Sequence, residues 1–75
     1  MSYYVRIDRV SRTGNTTTET YTNTSRDVAE FMLEDIKKHA PKAPAYVCID
    51  IVRDGVVAVQ YDSRRYWKEE DWSHG

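Results

Sequence analysis

One stretch, residues 45–62, limits what this chain can fold into more than any other part of the sequence. It reads AYVCIDIVRDGVVAVQYD, so two runs rich in β-branched residues flank an Asp-Gly pair. This pattern predicts a β-hairpin, because β-branched residues favour strands and Asp-Gly favours a tight reversal. The hairpin supplies two strands of a sheet around which the rest of the chain has to be arranged.

The hydrophobic pattern indicates which loop closes this hairpin. A two-residue loop centred on Asp54-Gly55 would place Ile49 opposite Gln60 and mix apolar with polar side chains on one face. A three-residue loop, Arg53-Asp54-Gly55, keeps the apolar side chains of both strands on the same face. Because a one-residue slip reverses the facing of every side chain, we predict the three-residue loop, with Gly55 in the left-handed conformation.

Composition and cysteine content narrow the class of protein. The chain has 75 residues, which is one small domain, and 11 basic against 12 acidic residues give a net charge of −1. A general nucleic-acid binder normally carries an excess of positive charge, which this chain does not have. A single cysteine cannot form an internal disulfide, which indicates a reducing compartment. No signal-peptide core and no apolar run of about 20 residues is present, so we expect a cytoplasmic protein without a membrane partner.

The N-terminal part predicts a second hairpin. Residues 3–8 alternate between apolar and polar side chains, which is typical of a half-buried strand. The threonine-rich run over residues 16–22 predicts a polar strand. A three-residue loop ending in Gly14 pairs Ile7 with Glu19. Since this arrangement turns a charge toward the core face, we expect the second strand at an edge of the sheet, where the charge can reach water.

One amphipathic helix is predicted between the two hairpins. It begins at Thr24 or Ser25, which can cap it, and Pro41 ends it. We expect its apolar face to pack on the sheet, because a domain of this size depends on its only helix for a core. Docking of that face into a partner's groove is the alternative. The apolar face repeats at helical spacing and comprises Val28, Ala29, Met32, Leu33 and Ile36.

The order of elements predicts an α+β fold over residues 1–63: a two-layer ββαββ sandwich with one helix packed on a four-stranded mixed sheet. We expect the strand order 2-1-4-3, a β-grasp-like arrangement in which strands 1 and 4 are parallel and strand 3 is an edge. The segment GNTTTE, residues 14–19, resembles the start of the second strand in the small immunoglobulin-binding domains of bacterial surface proteins. That resemblance implies the β-grasp fold and carries over no binding residue.

An aromatic and charged tail, residues 64–75, completes the chain. Disordered ends are normally poor in aromatic residues, yet this tail holds both tryptophans and a tyrosine. Three interpretations stay open: the tail folds back on the outer face of the sheet, it binds a partner, or it frays. In the first case it covers Tyr4, Tyr46, Cys48 and Val56.

No residue pattern predicts catalysis or metal binding. Cys48 lies in the middle of a strand and His39 at the end of the helix on the opposite face, so a Cys–His pair is not expected to form. His74 with Asp71 lacks the further ligands that a zinc site needs. A glycine-rich phosphate loop is also missing from the sequence. We therefore expect a protein that is not an enzyme and takes no cofactor or metal.

The expected function is that of a small non-enzymatic protein–protein interaction module with a partner of unknown identity. Its contact surface would combine the outer sheet face, the strand 3 edge and the tail, because Trp, Tyr and Arg dominate interface hot spots. A homodimer through the strand 3 edge is a second expectation. The predicted partner-binding residues are Tyr4, Tyr46, Arg64, Arg65, Tyr66, Trp67 and Trp72.

Two further hypotheses concern origin and an alternative ligand. The small size suggests an accessory or inhibitory protein of a phage or mobile element. The alternative function is single-stranded nucleic-acid binding, since cations and aromatic rings interleave in the tail segment RRYWK, as they do in stacking platforms. The acidic run EED follows at once and would repel phosphate, so nucleic acid ranks below a protein partner.

Overall fold

The computed structural model describes residues 2–72, so the last three residues of the predicted tail lie outside the described part. It confirms a small α+β domain in which one main helix packs on a four-stranded sheet. A 3₁₀ helix, Ser63–Tyr66, and a single α-helical turn, α2, follow the sheet. The elements are β1 (Tyr3–Val10), β2 (Thr16–Thr24), α1 (Arg26–Lys38), β3 (Tyr46–Arg53), β4 (Val56–Asp62) and α2 (Glu69–Trp72).

The strand order is β2-β1-β3-β4 and every neighbouring pair is antiparallel. The predicted order 2-1-4-3, with its parallel central pair, is therefore wrong, because β3 and not β4 lies beside β1. The reason is burial: Val47, Ile49 and Ile51 of β3 are at most 3% exposed, whereas the first five residues of β4 are all exposed. The strand with the more complete apolar face takes the central position, where the helix covers it. Paired on both sides, β3 cannot support the homodimer predicted through its edge.

The first hairpin follows the prediction. Ile7 lies opposite Glu19, and β2 is an edge strand. Within the loop, the Gly14 N–H donates to the Ser11 carbonyl at 3.0 Å, and Gly14 has a φ of +89°. A three-residue loop of this kind needs a left-handed residue at its end, which glycine adopts without steric cost.

The loop of the second hairpin differs from the prediction. Arg53 lies opposite Val56, so Asp54 and Gly55 form a two-residue loop. Their φ values are +52° and +75°, and positive φ at both positions defines the type I′ turn that Asp-Gly favours. The three-residue loop is therefore wrong, and local turn chemistry decided the reversal.

A bulge corrects the register that the two-residue loop would otherwise impose. The pairing shifts between Ile51 and Val52, which leaves one extra residue in β4. Beyond the bulge Ile49 lies opposite Tyr61 instead of Gln60, so the apolar side chains share a face as the sequence pattern requires. The facing of β3 was predicted correctly, but that of Val56 and Val57 was not, because Val57 lies opposite Val52 on the outer face of the sheet.

The helix packs on the two central strands through Ala29, Leu33 and Ile36 of its predicted apolar face, whereas Val28 is 46% exposed. Ser25 is the N-cap, and its Oγ accepts a hydrogen bond from the Val28 N–H at 3.3 Å. Within residues 2–72 no helix is long and apolar enough to cross a bilayer. The buried core contains Val5, Ile7, Ala29, Leu33, Ile36, Val47, Ile49, Ile51 and Tyr61. Because α1 lies over β1 and β3, the inner side of β4 is only partly covered.

Candidate interaction surface

The tail leaves the sheet through Ser63, which replaces a missing strand neighbour. The last pair of the β3–β4 ladder joins Cys48 and Asp62, so the backbone N–H of Val47 lies beyond the end of β4. Ser63 Oγ accepts a hydrogen bond from this N–H at 3.0 Å, and Ser63 itself is only 4% exposed. The hydroxyl thus satisfies a buried backbone donor, while Asp62 caps the 3₁₀ helix by accepting a hydrogen bond from the Arg64 N–H at 2.9 Å.

Replacing Ser63 with alanine is expected to lower the free energy of unfolding by about 1–3 kcal/mol, because the Val47 N–H would stay buried without an acceptor. Threonine at the same position keeps the hydroxyl and is expected to cost less. Urea denaturation of Ser63→Ala and Ser63→Thr measures both effects. Equal losses in the two variants would show that packing, and not the hydrogen bond, explains the role of Ser63.

Arg64 is fixed between a carboxylate and an aromatic ring. Its Nε and Nη2 donate to the two carboxylate oxygens of Asp62, with the shortest distance 2.6 Å, while its guanidinium carbon lies 4.0 Å from the ring centre of Tyr46. The hydrogen bonds from Arg64 hold the pKa of Asp62 below its ordinary value of 3.8 and raise the pKa of Arg64. Arg64 therefore joins the tail to β3 and is committed to contacts within the chain.

The two tryptophans form an aromatic cluster with Tyr46, in which both ring contacts are edge to face. Trp67 meets Tyr46 edge to face at a ring separation of 6.4 Å, and Trp72 contacts Trp67 at 4.9 Å. Trp67 is half-buried, and its Nε1 is buried without an acceptor among the described residues, whereas Trp72 is 52% exposed. Trp67 thus belongs to the packing of the tail, and Trp72 covers it from the solvent side.

Tyr66 points to the other side of the tail and borders a groove. Its ring stacks on Tyr61 at 5.7 Å and is 71% exposed, and Lys37 Nζ lies 6.0 Å from the Tyr61 ring centre. The groove between the loop after α1 and the tail has a volume of about 870 Å³. We call it the tail groove; residues that line it include Lys37, Pro41, Lys42, Tyr66, Trp67 and Lys68.

Of the seven predicted partner-binding residues, the fold brings five into one place. Arg65 is exposed beside them on the 3₁₀ helix, but Tyr4 lies at the opposite end of the sheet, paired with Val52 and 38% exposed. The tail therefore covers Tyr46 and leaves Tyr4 and Val56 open, so the fold-back interpretation holds for one end of the outer face only. The five are Tyr46, Arg64, Tyr66, Trp67 and Trp72.

Two titratable side chains outside the tail groove, Cys48 and His39, lie beside carboxylates of the same chain. Burial raises the pKa of the Cys48 thiol, and the neighbouring Asp62 carboxylate raises it further, which disfavours the thiolate. His39 Nδ1 lies 3.2 Å from a carboxylate oxygen of Asp35 on the same helix. Across residues 2–72 no group of three or more His, Cys, Asp or Glu side chains is placed to hold a metal ion.

Sequence reasoning missed two features of this surface. Lys37 and Lys42 reach the tail groove only because the loop after α1 passes beside the tail, a contact between distant parts of the chain. The exposed valines of β4 were assigned to a central strand, although Val56 is 68% and Val57 54% exposed. No signal in the local pattern separates the two strands, because both carry enough apolar residues to occupy the centre of the sheet.

No protein-family model, no curated protein and no solved structure matches this chain.

Proposed function

We propose that this chain is a small protein–protein interaction module that binds a partner segment in the tail groove. The observation that carries the proposal is a pair of exposed aromatic side chains: Tyr66, 71% exposed, lines the tail groove, and Trp72, 52% exposed, contacts Trp67, which also lines it. Exposed tyrosine and tryptophan lose little conformational entropy on binding and are enriched at interface hot spots. Scattered single aromatic residues would support this less well than two residues that lie in or next to the lining of one groove.

The support under these two residues is already ordered within the chain. Arg64 is held by Asp62 and Tyr46, and Trp67 is packed between Tyr46 and Trp72. An interface that is arranged before binding avoids part of the ordering cost of association. This division assigns Arg64, Tyr46 and Trp67 to positioning and leaves Tyr66 and Trp72 for contact with the partner.

The charges of the tail groove indicate the chemistry of the partner segment. Lys37, Lys42 and Lys68 line it together with two acidic residues, Glu70 and Asp71. A segment that combines an apolar or aromatic anchor with an acidic residue would meet both the exposed rings and the lysines. The proposed role toward such a partner is accessory or inhibitory, in a phage or mobile element.

Single-stranded nucleic acid is the second candidate, and the three lysines beside aromatic rings favour it. Two features weigh against it: Arg64 is already paired with Asp62, and two carboxylates line the same groove. Titration of a labelled oligonucleotide at two salt concentrations separates the candidates. Binding that weakens steeply with salt supports nucleic acid, because the release of condensed counterions drives such binding.

Selection of peptides from a displayed random library against the immobilised chain tests the protein-binding proposal. Peptides selected on the wild-type chain are expected to lose at least about tenfold in affinity, roughly 1.4 kcal/mol, for Tyr66→Ala and for Trp72→Ala. The melting temperatures of both variants are expected to stay near that of the wild type, since both rings are mostly exposed.

Tyr4→Ala is the matched control, because Tyr4 is also an exposed tyrosine but lies far from the tail groove. It is expected to bind the selected peptides as the wild type does. Peptides that bind Trp72→Ala and Tyr66→Ala at full strength, or that depend on Tyr4 instead, would overturn the assignment of the groove.

A further inference from the structure

The edge strand β4 supports an inference that is independent of the tail groove. Residues from Val56 to Gln60 are all exposed, with Val56 at 68%, Val57 at 54% and Val59 at 37%. Among residues 2–72, β4 pairs with β3 only, so alternate N–H and C=O groups on its other side face no strand. An exposed apolar strand with an unpaired backbone side is a template for another strand.

The two edges of the sheet are protected differently. β2 reads TTTETYTNT, which presents hydroxyl groups and a charge to solvent. β4 reads VVAVQYD, without lysine or proline, and its only charge is Asp62 at the last position. Natural proteins guard edge strands with lysine, proline and charges, and β4 has none of these over its first six residues. Its bulge, itself a device that protects edges, falls at Ala58, and Val59 to Asp62 pair regularly with β3.

We propose that a second copy of this chain covers β4, and that the two β4 strands pair antiparallel about a two-fold axis near Val59. The two sheets then join into one of eight strands. A two-fold interface uses the same surface twice, so the surface has to be complementary to itself. β4 meets this condition because its central residues are uncharged and place no like charges opposite each other across the junction.

Charges at the two ends of β4 favour this orientation. Asp54, in the turn before β4, has a side chain that is 86% exposed and lies 3.7 Å from Arg53 Nε of the same chain, and Arg65 is exposed beyond the other end. Antiparallel pairing about Val59 brings Asp54 of one copy toward Arg65 of the other, and the contact occurs twice. Parallel pairing would instead place the two Asp54 carboxylates side by side, which is unfavourable.

Sedimentation of the full chain over concentrations from about 5 to about 500 μM tests the proposal, because dimerisation follows mass action. The wild type is expected to approach twice the chain mass of 8.8 kDa as concentration rises. Val57→Lys is expected to raise the dissociation constant at least about tenfold while the circular dichroism spectrum stays that of the folded chain. If Val57→Lys does not fold, Val56→Lys at the more exposed position replaces it.

Thr17→Lys places the same charge on the opposite edge, β2, and is expected to leave the dimer unchanged. Asp54→Asn and Arg65→Gln test the orientation: each is expected to weaken the dimer severalfold, and the double variant by less than the product of the two.

Amides of β4 are expected to exchange more slowly as the chain concentration rises. A chain that stays monomeric throughout, or a dimer that Val57→Lys and Val56→Lys leave intact, overturns the proposal. Neither result affects the peptide-binding test.

Discussion

Replacing Ile49 with alanine is expected to lower the free energy of unfolding by about 2–5 kcal/mol, the largest effect of any substitution considered for this chain. Ile49 is 0% exposed, lies on the central strand β3, and is paired with Ile7 on one side and Tyr61 on the other. Removing three carbon atoms there leaves a cavity between the sheet and α1 that neighbouring strands cannot close. A domain of 75 residues has a total stability of about 4–11 kcal/mol, so a loss of this size removes a substantial share of it.

Val57→Ala is the matched control for Ile49→Ala. Val57 is an aliphatic residue in the neighbouring strand, but it is 54% exposed, and its truncation is expected to cost less than about 1 kcal/mol. Urea denaturation with a common slope for all variants gives both values. The sequence alone placed β3 at the edge and β4 in the centre. A larger loss of stability for Val57→Ala than for Ile49→Ala would therefore contradict the strand order β2-β1-β3-β4.

Replacing Trp67 with alanine is expected to cost about 2–4 kcal/mol, somewhat below the range for a fully buried tryptophan because Trp67 is half-buried. The variant loses the edge-to-face contact with Tyr46 and the contact with Trp72, so α2 loses the ring on which it packs. Thermal unfolding measures the loss, and the fluorescence of the remaining tryptophan reports whether Trp72 becomes fully exposed.

Trp72→Ala provides the comparison with Trp67→Ala within the same aromatic cluster. Trp72 is 52% exposed, so its removal is expected to cost less than about 1 kcal/mol and to shift the melting temperature only slightly. Similar stability losses at the two positions would mean that the tail packs as one cooperative unit, and would remove the division between a positioning tryptophan and a partner-binding one. A Trp67→Ala variant as stable as the wild type would show that the tail is not held on β3.

Many of the features predicted from sequence depend on neighbours along the chain. The helix start at Ser25, most of the apolar face of α1 and the loop ending in Gly14 follow from capping, helical spacing and turn chemistry, and each is found as expected. The facing of β3 was also correct, because alternation fixes which side of a strand is apolar. The turn and the facing of Val56 and Val57 were not, since a regular ladder was assumed and the chain instead uses a type I′ turn followed by a bulge.

The candidate site was predictable in composition but not in arrangement. The density of Trp, Tyr and Arg identified the tail as a surface of interest, and five of the seven predicted residues lie together. Sequence could not show that Arg64 is engaged by Asp62 and Tyr46, that Ser63 accepts a hydrogen bond from Val47, or that Lys37 lies near Tyr61. These contacts join residues far apart in the chain, or depend on where a tail turns, and no periodicity records them.

The sequence by itself determined an α+β domain of two hairpins around one helix, together with the apolar sides of β1, β3 and most of α1. Only the tertiary structure decided which hairpin strand lies beside β1. Both strands of residues 45–62 alternate well enough to occupy the centre, so local pattern cannot separate them. Burial under α1 separates the two strands. Val47, Ile49 and Ile51 of β3 fill the space under the helix, and β4 lies at the edge with its valines exposed.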